Sequence, residues 1–387
     1  MDFEVPEEAR MLADLVRRFV EDELMPLEPA VLEREAAGGH ASLTEEELAP
    51  LYAKCKELGL WGLDVPEKIG GADVGLIAKL CVQEELSKTV TPFIFPPDSP
   101  NLHMMMAVAN EDQKARYLEP YAAGETISAI AISEPNAGGD PAGMMTKAER
   151  KGDEWVINGR KIWISRVKNA DFTIVMAVTD QEKRSRGGIT AFLVDRDTPG
   201  FIIEREIKML AGRRTYEVVF EDCRVAHSQV LGEVGQGFAP MQLRLNNRRI
   251  EMGATALGMC QRALDMMIDH VKNRVTFGEL LADRQAIQFW ISDAATRMHA
   301  LRLMVWDAAV KSERGEEARN ESSMIKYFAT ELVTDVVDRA MQAHGAMGVT
   351  KELPLQLMWQ NARTMRVYEG PTEVHKWVIA RRLLKER

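Results

Sequence analysis

A glutamate near the C-terminus is the residue whose type and setting most readily suggest chemistry. Glu369 lies in the segment Tyr368-Glu369-Gly370-Pro371, and a carboxylate followed at once by Gly and Pro belongs to a loop, not to a helix interior. A carboxylate held in a dry site can remove a proton from a substrate, whereas most loop carboxylates are solvated surface charges. The immediate surroundings of Glu369 leave both interpretations open.

Two segments in the middle of the chain have residues that suit a flat, polar ligand. Residues 130–140 end a β-like run at Ser133 and continue with Gly138 and Gly139, whose backbone N–H groups can approach a ligand closely. Trp163 and Ser165 are two residues apart in a strand-like run, so they point to the same face, where an indole can cover a ring and a hydroxyl can bond to it. An ordinary Gly-rich loop and an ordinary core tryptophan are the alternatives.

A third segment offers donors that suit a phosphate group. Arg274 can make a bidentate contact with a phosphate, and Thr276 and Gln285 add neutral donors at a helix–loop–helix junction. A solvated arginine is the alternative, since the spacing alone does not distinguish the two.

The composition limits the kind of protein that carries these residues. The chain has 387 residues, 46% hydrophobic and 28% charged, which is typical of a globular protein of two or three domains. Its net charge of −10 gives no support for a nucleic-acid-binding or anionic-membrane surface. The cysteines, at positions 55, 81, 223 and 260, have no metal-ligand spacing, so we expect reduced thiols and no metal. The chain shows no secretory signal and no apolar run of the ~18 residues that a membrane helix needs. We therefore expect a cytoplasmic protein without membrane insertion.

The pattern along the chain predicts three domains that position these segments. Residues 1–125 have helical periodicity with a break at the proline-rich residues 91–100, which are a candidate for shaping the entrance to a site. Residues 126–236 contain short β-branched runs between turn residues, and residues 237–387 return to long helical periods. We expect a helical domain, a small antiparallel β-domain and a helical bundle.

Local signals add detail to this outline. The segment SLTE (42–45) matches a capping box at a helix start, and Asn158-Gly159 is the strongest hairpin signal in the chain. The longest helical periods cover residues 254–272, 286–311 and 321–342. The β-like runs cover residues 127–132, 155–157, 161–164, 172–178, 189–194 and 218–220.

Taken together, the motifs resemble those of the FAD-dependent acyl-CoA dehydrogenase family over essentially the whole chain. The matching stretches are AISEPNAGGD (131–140), WVINGRKIWIS (155–165), VFEDCRV (219–225), LGEVGQGF (231–238), RVTFG (274–278) with Gln285, QAHGAMG (342–348) and YEG (368–370). The resemblance implies an α+β multidomain fold with an N-terminal α-helical domain (1–125), a middle antiparallel β-domain (126–236) and a C-terminal four-helix bundle (237–387). It also implies FAD bound where the three domains meet.

The resemblance further implies roles for individual residues. Glu369 matches the catalytic base, Trp163 the residue that flanks the isoalloxazine ring, and Ser165 the hydroxyl that reaches flavin N5. Positions that match other cofactor contacts are Ile130, Ile132, Ser133, Gly138, Gly139, Arg274, Thr276, Phe277, Gln285, Gln342, Gly345 and Glu373. Positions that match substrate contacts are Gly139, Arg249, Tyr368 and Gly370. Some family members carry their glutamate base at the position of Arg248, and the arginine here leaves Glu369 as the matching base.

The implied reaction is the α,β-dehydrogenation of an acyl-CoA thioester to the trans-2-enoyl-CoA. Glu369 would remove the α-proton, flavin N5 would take the β-hydride, and an electron-transferring flavoprotein would accept the electrons, as in the β-oxidation of fatty acid metabolism. A homo-oligomer, either a dimer or a homotetramer, is implied because some cofactor residues of the family act across a subunit boundary. A flavin-dependent monooxygenase or oxidase and a non-catalytic acyl-CoA-binding homologue are the alternatives.

Four positions depart from the family pattern. Gly139 stands where many members have Ser, and Arg166-Val167 replaces a common Asn-Gly. Ala346 replaces a Gly, and Pro371 replaces a Thr. Because some of the residues that contact ligands differ from the family pattern, the acyl specificity does not follow from the resemblance.

Overall fold

The computed structural model describes residues 5–97 and 100–385 and has three parts in chain order. A helical N-terminal part is followed by a β-sheet part and then by a helical C-terminal part, so the predicted α+β fold class is confirmed. Within the described residues, no helix has the length and apolar character that a membrane crossing requires.

The N-terminal part is made of short and medium helices packed around an aromatic and aliphatic core. Val16 and Phe19 lie in that core, whereas Met11 is 65% exposed. The described residues of the proline-rich segment contain no helix, as expected. The helices are α1 (Glu7–Phe19), α2 (Glu28–Ala36), α3 (Glu45–Glu57), α4 (Gly75–Leu86), α5 (Leu102–Val108), α6 (Glu111–Gln113) and α7 (Glu119–Ala123).

The capping box of α3 lies two residues after the predicted position. Thr44 is the extended residue before the helix, with φ −79° and ψ 165°, and its Oγ1 accepts a bond from the backbone N–H of Glu47 at 3.3 Å. The Glu47 carboxylate in turn accepts from the backbone N–H of Thr44 at 2.8 Å. The capping box predicted over residues 42–45 is therefore wrong, because Thr44 and not Ser42 is the last residue before the helical turn.

The middle part is an eight-stranded sheet with the order β6-β7-β3-β2-β4-β5-β8, and β1 lies alongside β4. Most neighbours are antiparallel, but β1 and β2 pair with β4 in parallel. The sequence did not reveal β2 and β6, which are rich in charged residues and largely exposed. The strands are β1 (Ser128–Ala131), β2 (Lys147–Lys151), β3 (Glu154–Ile164), β4 (Phe172–Val178), β5 (Ile189–Asp195), β6 (Phe201–Lys208), β7 (Arg214–Ala226) and β8 (Val230–Leu231).

The hairpin predicted at Asn158-Gly159 is wrong, because both residues lie inside the continuous strand β3. The pairing of β3 with β7 shifts register between Ile157 and Gly159, which marks a bulge. Asn158 bonds to Asp222 of β7 through both of its side-chain ends, at 2.8 and 3.1 Å. A Cβ on Gly159 would lie 2.5 Å from Thr146 Oγ1, so the glycine permits a close approach and does not form a turn.

The C-terminal part is built on three long helices. The predicted helical periods are confirmed, and each helix extends beyond its predicted ends. The core of this part contains aliphatic and Met side chains from all three helices. Its elements are α8 (Phe238–Asn273), the hairpin β9 (Val275–Thr276) and β10 (Glu279–Leu280), α9 (Gln285–Glu313), α10 (Arg319–His344), α11 (Pro354–Met365) and α12 (Thr372–Lys385).

Candidate active site

Glu369 lies in the short loop between α11 and α12, in a backbone conformation that non-glycine residues rarely adopt. Its φ is +57°, in the left-handed region. The Nε of Arg249, on α8, donates to the Glu369 carbonyl oxygen at 3.0 Å. His375, on α12, lies 3.2 Å from the same oxygen through Nε2. A carbonyl can only accept, so His375 carries its proton on Nε2. Two helices therefore fix the backbone of Glu369.

The backbone of Gly370, the next residue, is also held by a side chain from a neighbouring helix. The carbonyl of Gly370 accepts a hydrogen bond from Lys326, a fully buried residue of α10. Gly370 has φ +96°, and a Cβ there would lie 2.9 Å from His375 Nε2. Glycine is thus required both by the backbone and by the contact with His375. Burial and the charge of Arg249 lower the pKa of Lys326 to about 8, against the carboxylates that raise it.

The carboxylate of Glu369 faces the interior side of the loop. Its side chain is 16% accessible, and Oε1 lies 3.6 Å from NH1 of Arg244 on α8. Arg244 is itself held by Asn101, whose Oδ1 accepts from Arg244 Nε at 2.7 Å. Asn101 donates to Ser128 Oγ of β1 at 2.8 Å. The carboxylate thus sits where α8, the N-terminal part and the first strand of the sheet meet.

Arg248 occupies the position at which some members of the resembled family carry a glutamate base. Its side chain pairs with a carboxylate of the same helix. Its NH1 donates to Glu251 Oε2 at 2.8 Å. Burial opposes the charge of Glu251, but Lys79 and Arg248 hold its pKa down at about 2. Glu251 is therefore a structural anion, whereas the Glu369 carboxylate keeps 16% of its side chain accessible beside Arg244.

Trp163 and Ser165 lie at the end of β3, where the strand loses its regular pairing. The register with β7 shifts between Lys161 and Ile164, and Trp163 has φ +63°. A bulge of this kind redirects a side chain. The Trp163 side chain is left 50% exposed, and Ser165 is exposed beside it. An ordinary core tryptophan would be buried, so the alternative of a core position does not hold for Trp163.

The Gly-rich segment packs between β3 and the Glu369 loop. The Ser133 carbonyl accepts from the backbone N–H of Ile162 at 2.9 Å, which ties the segment to β3. Lys161 and Glu134 form a buried ion pair at 2.9 Å beneath it. A Cβ on Gly139 would lie 3.4 Å from Val374 Cγ2, so the segment also reaches the start of α12. Ile130 and Ile132 are half-buried on the same segment.

A second group of predicted cofactor residues lies at the far end of α8. Arg274 follows α8 and, with His270 and His344, lines a cleft of about 520 Å³. The rings of the two histidines stack at 4.3 Å. The other members of the group are Thr276 and Phe277 in the β9–β10 hairpin, Gln285 at the start of α9, and Gln342 and Gly345 at the end of α10.

The two groups lie near different parts of α8. Arg249 and Arg274 are separated by 25 positions along α8, which corresponds to about 37 Å of helix. The structure thus brings Glu369, Gly370, Arg249, Gly139 and Tyr368 together, and leaves the residues near Arg274 apart. Glu373 lies with the first group, exposed in the first turn of α12.

Sequence reasoning did not identify several residues of the site. Lys326 and Arg244 lie on long helices far from Glu369 in the chain, where they look like ordinary helical cations. Asn101 follows the proline-rich segment and gave no local signal. His375 is buried in the first turns of α12, and its ring contacts the Glu369 carbonyl oxygen. In the described residues, no group of three or more His, Cys, Asp or Glu side chains is placed to hold a metal ion.

Known proteins resemble all three parts of the chain. Models of the N-terminal, middle and C-terminal domains of acyl-CoA dehydrogenases match residues 6–125, 129–223 and 235–384. The chain belongs to the acyl-CoA dehydrogenase family. (R)-Benzylsuccinyl-CoA dehydrogenase of Thauera aromatica is 42% identical over 396 residues, covering 100% of this chain and 98% of that protein.

Solved structures agree with this assignment. A chain from a study of the electron transferring flavoprotein of Acidaminococcus fermentans is 32% identical, with a TM-score of 0.86 over 99% of this chain and 100% of that chain. A glutaryl-CoA dehydrogenase from Mycobacterium smegmatis in complex with FADH2 is 26% identical, with a TM-score of 0.84 over 97% of this chain and 94% of that chain.

This acyl-CoA dehydrogenase is an oxidoreductase, and its cofactor is FAD. The donor set suits the flavin: a half-exposed indole at Trp163, a free hydroxyl at Ser165 and an open backbone at Gly138. Within the described residues, nothing lies within 4 Å of the point where a Cβ on Gly138 would stand. The side of Gly138 on which a side chain would stand is therefore open to a ligand.

Proposed function

We propose that Glu369 removes the α-proton of an acyl-CoA thioester, so that the product is the trans-2-enoyl-CoA. The observation that supports this most is the way the Glu369 backbone is held by Arg249 and His375 while the carboxylate stays 16% accessible. A base on a rigid loop is set in place before the substrate arrives. FAD, when bound, supplies the acceptor for the hydride that leaves Cβ.

The thioester needs donors where negative charge develops during proton removal. We assign this role to the backbone N–H of Glu369, because the left-handed conformation and the bonds to its carbonyl fix the orientation of the peptide. Gly370 keeps the space beside it free of a side chain, and Tyr368 and Gly139 complete the substrate contacts in this proposal. Trp163 and Ser165 would hold the flavin ring, with Ile130, Ile132, Ser133 and Gly138 along its polar edge.

The proposal also covers the electron acceptor, the oligomeric state, the cellular location and the domain limits. The structural relative named for an electron transferring flavoprotein supports such a protein as the electron acceptor. The distance between the two cofactor groups supports a homo-oligomer in which the partner subunit supplies the second group. The four cysteines are free thiols, which supports a cytoplasmic location. We keep 1–125, 126–236 and 237–387 as the proposed domain limits.

The relatives also bear on the choice of test substrate. The 42% identical relative is named for a benzylsuccinyl thioester, and this supports a functionalised acyl group rather than a plain straight chain. A first panel should therefore contain straight, branched, aromatic-tailed and carboxylated acyl-CoAs.

Anaerobic reduction tests the role of Glu369. The holoenzyme is mixed with each acyl-CoA of the panel, and loss of the yellow flavin absorbance is followed. We expect bleaching with at least one thioester in the wild type, and a loss of at least about 1,000-fold in the bleaching rate in Glu369→Gln with FAD retained, because the amide cannot accept the proton.

Glu352→Gln is the matched control, since Glu352 is exposed and lies before α11. It should bleach at the wild-type rate. Wild-type reduction in Glu369→Gln would place the base elsewhere, and no bleaching of the wild type with any thioester would reject the proposed reaction. Rapid peroxide formation by the reduced enzyme in air would favour an oxidase.

A further inference from the structure

Lys161 is a buried residue of β3 whose amine holds the peptide group between Ile132 and Ser133. Its side chain is fully buried. Its Nζ donates to the Ile132 carbonyl oxygen at 2.9 Å and to Glu134 Oε1 at 2.9 Å. Burial lowers the pKa of the Lys161 amine to about 8, against the raising effect of Glu134, so most of the amine is protonated at pH 7. The bond to the Ile132 carbonyl is therefore charge-assisted.

The ion pair alone does not account for the placing of this amine. The Glu134 carboxylate already accepts from the backbone N–H groups of Met145 at 2.6 Å and Thr146 at 2.9 Å. A buried ion pair contributes little net stability, because the cost of removing two charges from water offsets their attraction. What an apolar side chain of the same size could not provide is the bond from Lys161 to the Ile132 carbonyl.

The Ile132 carbonyl and the Ser133 N–H belong to one planar trans peptide group, so they point in opposite directions. An ammonium on the carbonyl side polarises the peptide and makes its N–H a stronger donor. Ser133 lies beyond the end of β1, and no acceptor for its N–H is found among the described residues. Its own carbonyl accepts from the N–H of Ile162 at 2.9 Å. The unbonded donor is therefore held close to Trp163, whose side chain is half exposed.

We propose that Lys161 is a positioning residue for FAD. Through the Ile132 carbonyl it orients the Ser133 N–H and strengthens it as a donor to the polar edge of the flavin, so that reduced FAD is bound more tightly relative to oxidised FAD. This rests on the proposed function for the placing of the flavin along Trp163 and Ser133. In that reaction FAD takes two electrons and one proton as the hydride from Cβ, which leaves one negative charge on the flavin. A strong donor at the polar edge stabilises this charge.

The reduction potential of bound FAD tests this role without any acyl-CoA. The holoenzymes of the wild type, Lys161→Met and the double variant Lys161→Met/Glu134→Gln are titrated anaerobically against a reference dye. We expect a potential at least about 30 mV lower in both variants, which is a tenfold change in the ratio of the affinities for reduced and oxidised FAD. The double variant separates the effect of Lys161 from that of an unpaired Glu134 charge. Its new amide oxygen still accepts from the backbone N–H of Met145.

Lys147→Met is the control, because Lys147 is exposed on the neighbouring strand β2 and its loss also removes one positive charge. It should keep the wild-type potential. An unchanged or higher potential in the double variant overturns the proposal. If the double variant does not hold FAD, the melting temperature of its FAD-free form decides. A value within about 2 °C of the FAD-free wild type supports a role toward the cofactor. A larger fall makes the ion pair a structural contact and overturns the proposal.

The infrared spectrum of bound oxidised FAD tests the route through Ser133. A weaker donor leaves the C=O bonds of the flavin stiffer, so we expect a flavin carbonyl band to move to higher frequency in both Lys161 variants. The band should stay in place in Lys147→Met. A lower potential without a shift of this band would mean that Lys161 acts by its charge alone, which rejects the route through the Ile132 carbonyl and the Ser133 N–H.

The two proposals fail in different ways. If no thioester bleaches the wild-type flavin but the potential and the carbonyl band shift in the double variant, the dehydrogenation is wrong and the role of Lys161 stands. If a thioester bleaches the wild-type flavin and the double variant keeps the wild-type potential and carbonyl band, the dehydrogenation stands and the role of Lys161 is wrong.

Discussion

Glu369 is positioned through its backbone, and each donor that positions it comes from a different helix. Arg249 belongs to α8, Lys326 to α10 and His375 to α12. A left-handed conformation costs a non-glycine residue roughly 1–2 kcal/mol, and charge-assisted hydrogen bonds of about 1.5–3 kcal/mol offset that cost. The strained conformation is therefore a product of tertiary packing, which holds the proposed base at a defined place.

His375 gives this site a dependence on pH. Burial lowers the pKa of His375 to about 4, with help from Arg249 and Lys326 and against the carbonyls of Glu369 and Gly370. In the unfolded chain the pKa is about 6.5, so the unfolded state binds a proton between pH 6.5 and 4 and the folded state does not. Stability should fall as the pH falls through this window, by on the order of 3 kcal/mol at its lower end.

The measurement compares melting temperatures of wild type and His375→Asn between pH 7 and pH 4.5. Asparagine can still donate to the Glu369 carbonyl but does not titrate. We expect the wild type to lose more stability than the variant over this range. Parallel curves would show that the folded protein accommodates a protonated His375.

At this scale the sequence revealed the residues that share a motif with the base. Glu369, Tyr368 and Gly370 are adjacent in the chain, and Arg249 lies just before the recognisable helical period of residues 254–272. Lys326 and Arg244 could not be predicted, because each acts through a single contact made only when α8, α10 and the loop pack together. The pattern of a helix does not tell which of its cations turns inward.

At the scale of elements, the longest periodic segments were the easiest to predict, and the sheet was the hardest. The apolar period of α8 becomes clear only after the arginine-rich turn that contains Arg244, Arg248 and Arg249, so its first turns were missed. Asn158 and Gly159 are residue types that favour turns, but in β3 they form a bulge. The asparagine is held in the strand by its two hydrogen bonds to Asp222 of β7. The actual tight turn is Gly152-Asp153, since Lys151 pairs with Glu154.

The packing of α4 against α8 depends on one glycine. A Cβ on Gly258 would lie 2.0 Å from the Glu84 carbonyl oxygen and 2.9 Å from Ser87 Cβ. Alanine would favour an isolated helix by about 0.5–1 kcal/mol, but overpacking of backbone against backbone costs about 1–3 kcal/mol or more. We expect Gly258→Ala to lower the melting temperature of the holoenzyme by several degrees.

Asp265→Ala provides the comparison, because Asp265 is exposed on the same helix and contacts only Gln261 among the side-chain bonds of the described residues. It should leave the melting temperature within about 1–2 °C of the wild type. An unchanged melting temperature for Gly258→Ala would mean that α4 can move away from α8 without loss of stability.

At the scale of the whole molecule, α8 runs between two groups of predicted cofactor and substrate residues. The Glu369 group lies toward its N-terminal half, and Arg274 with the β9–β10 hairpin lies at its C-terminal end. The sequence motifs predicted the residues of both groups. They could not show that the two groups lie near different ends of one helix. A symmetric dimer would supply the second group to the first site of its partner, so we expect FAD binding and association to be coupled.

Phe277 offers a direct test of this coupling. It is 100% exposed, and it forms with Gly278 a two-residue turn in which both φ angles are positive, +51° and +78°. Asparagine suits such a turn far better than phenylalanine, so the local fold does not explain the aromatic ring. We expect Phe277→Asn to leave the melting temperature of the FAD-free protein unchanged or higher. Its FAD affinity should fall at least about tenfold, which is the loss of one buried aromatic contact.

Flavin absorbance measures the FAD content. Size-exclusion chromatography with light scattering measures the molar mass of the protein on dilution. Met11→Asn is the control, because Met11 is also an exposed apolar residue, at 65%, and lies on α1 far from the hairpin in the chain. It should keep the wild-type mass and FAD content. If Phe277→Asn does the same, the exposed ring has no role across a subunit boundary, and the two halves of the cofactor site must be joined by other contacts of the hairpin. If FAD is lost together with association, one side chain connects cofactor binding to assembly.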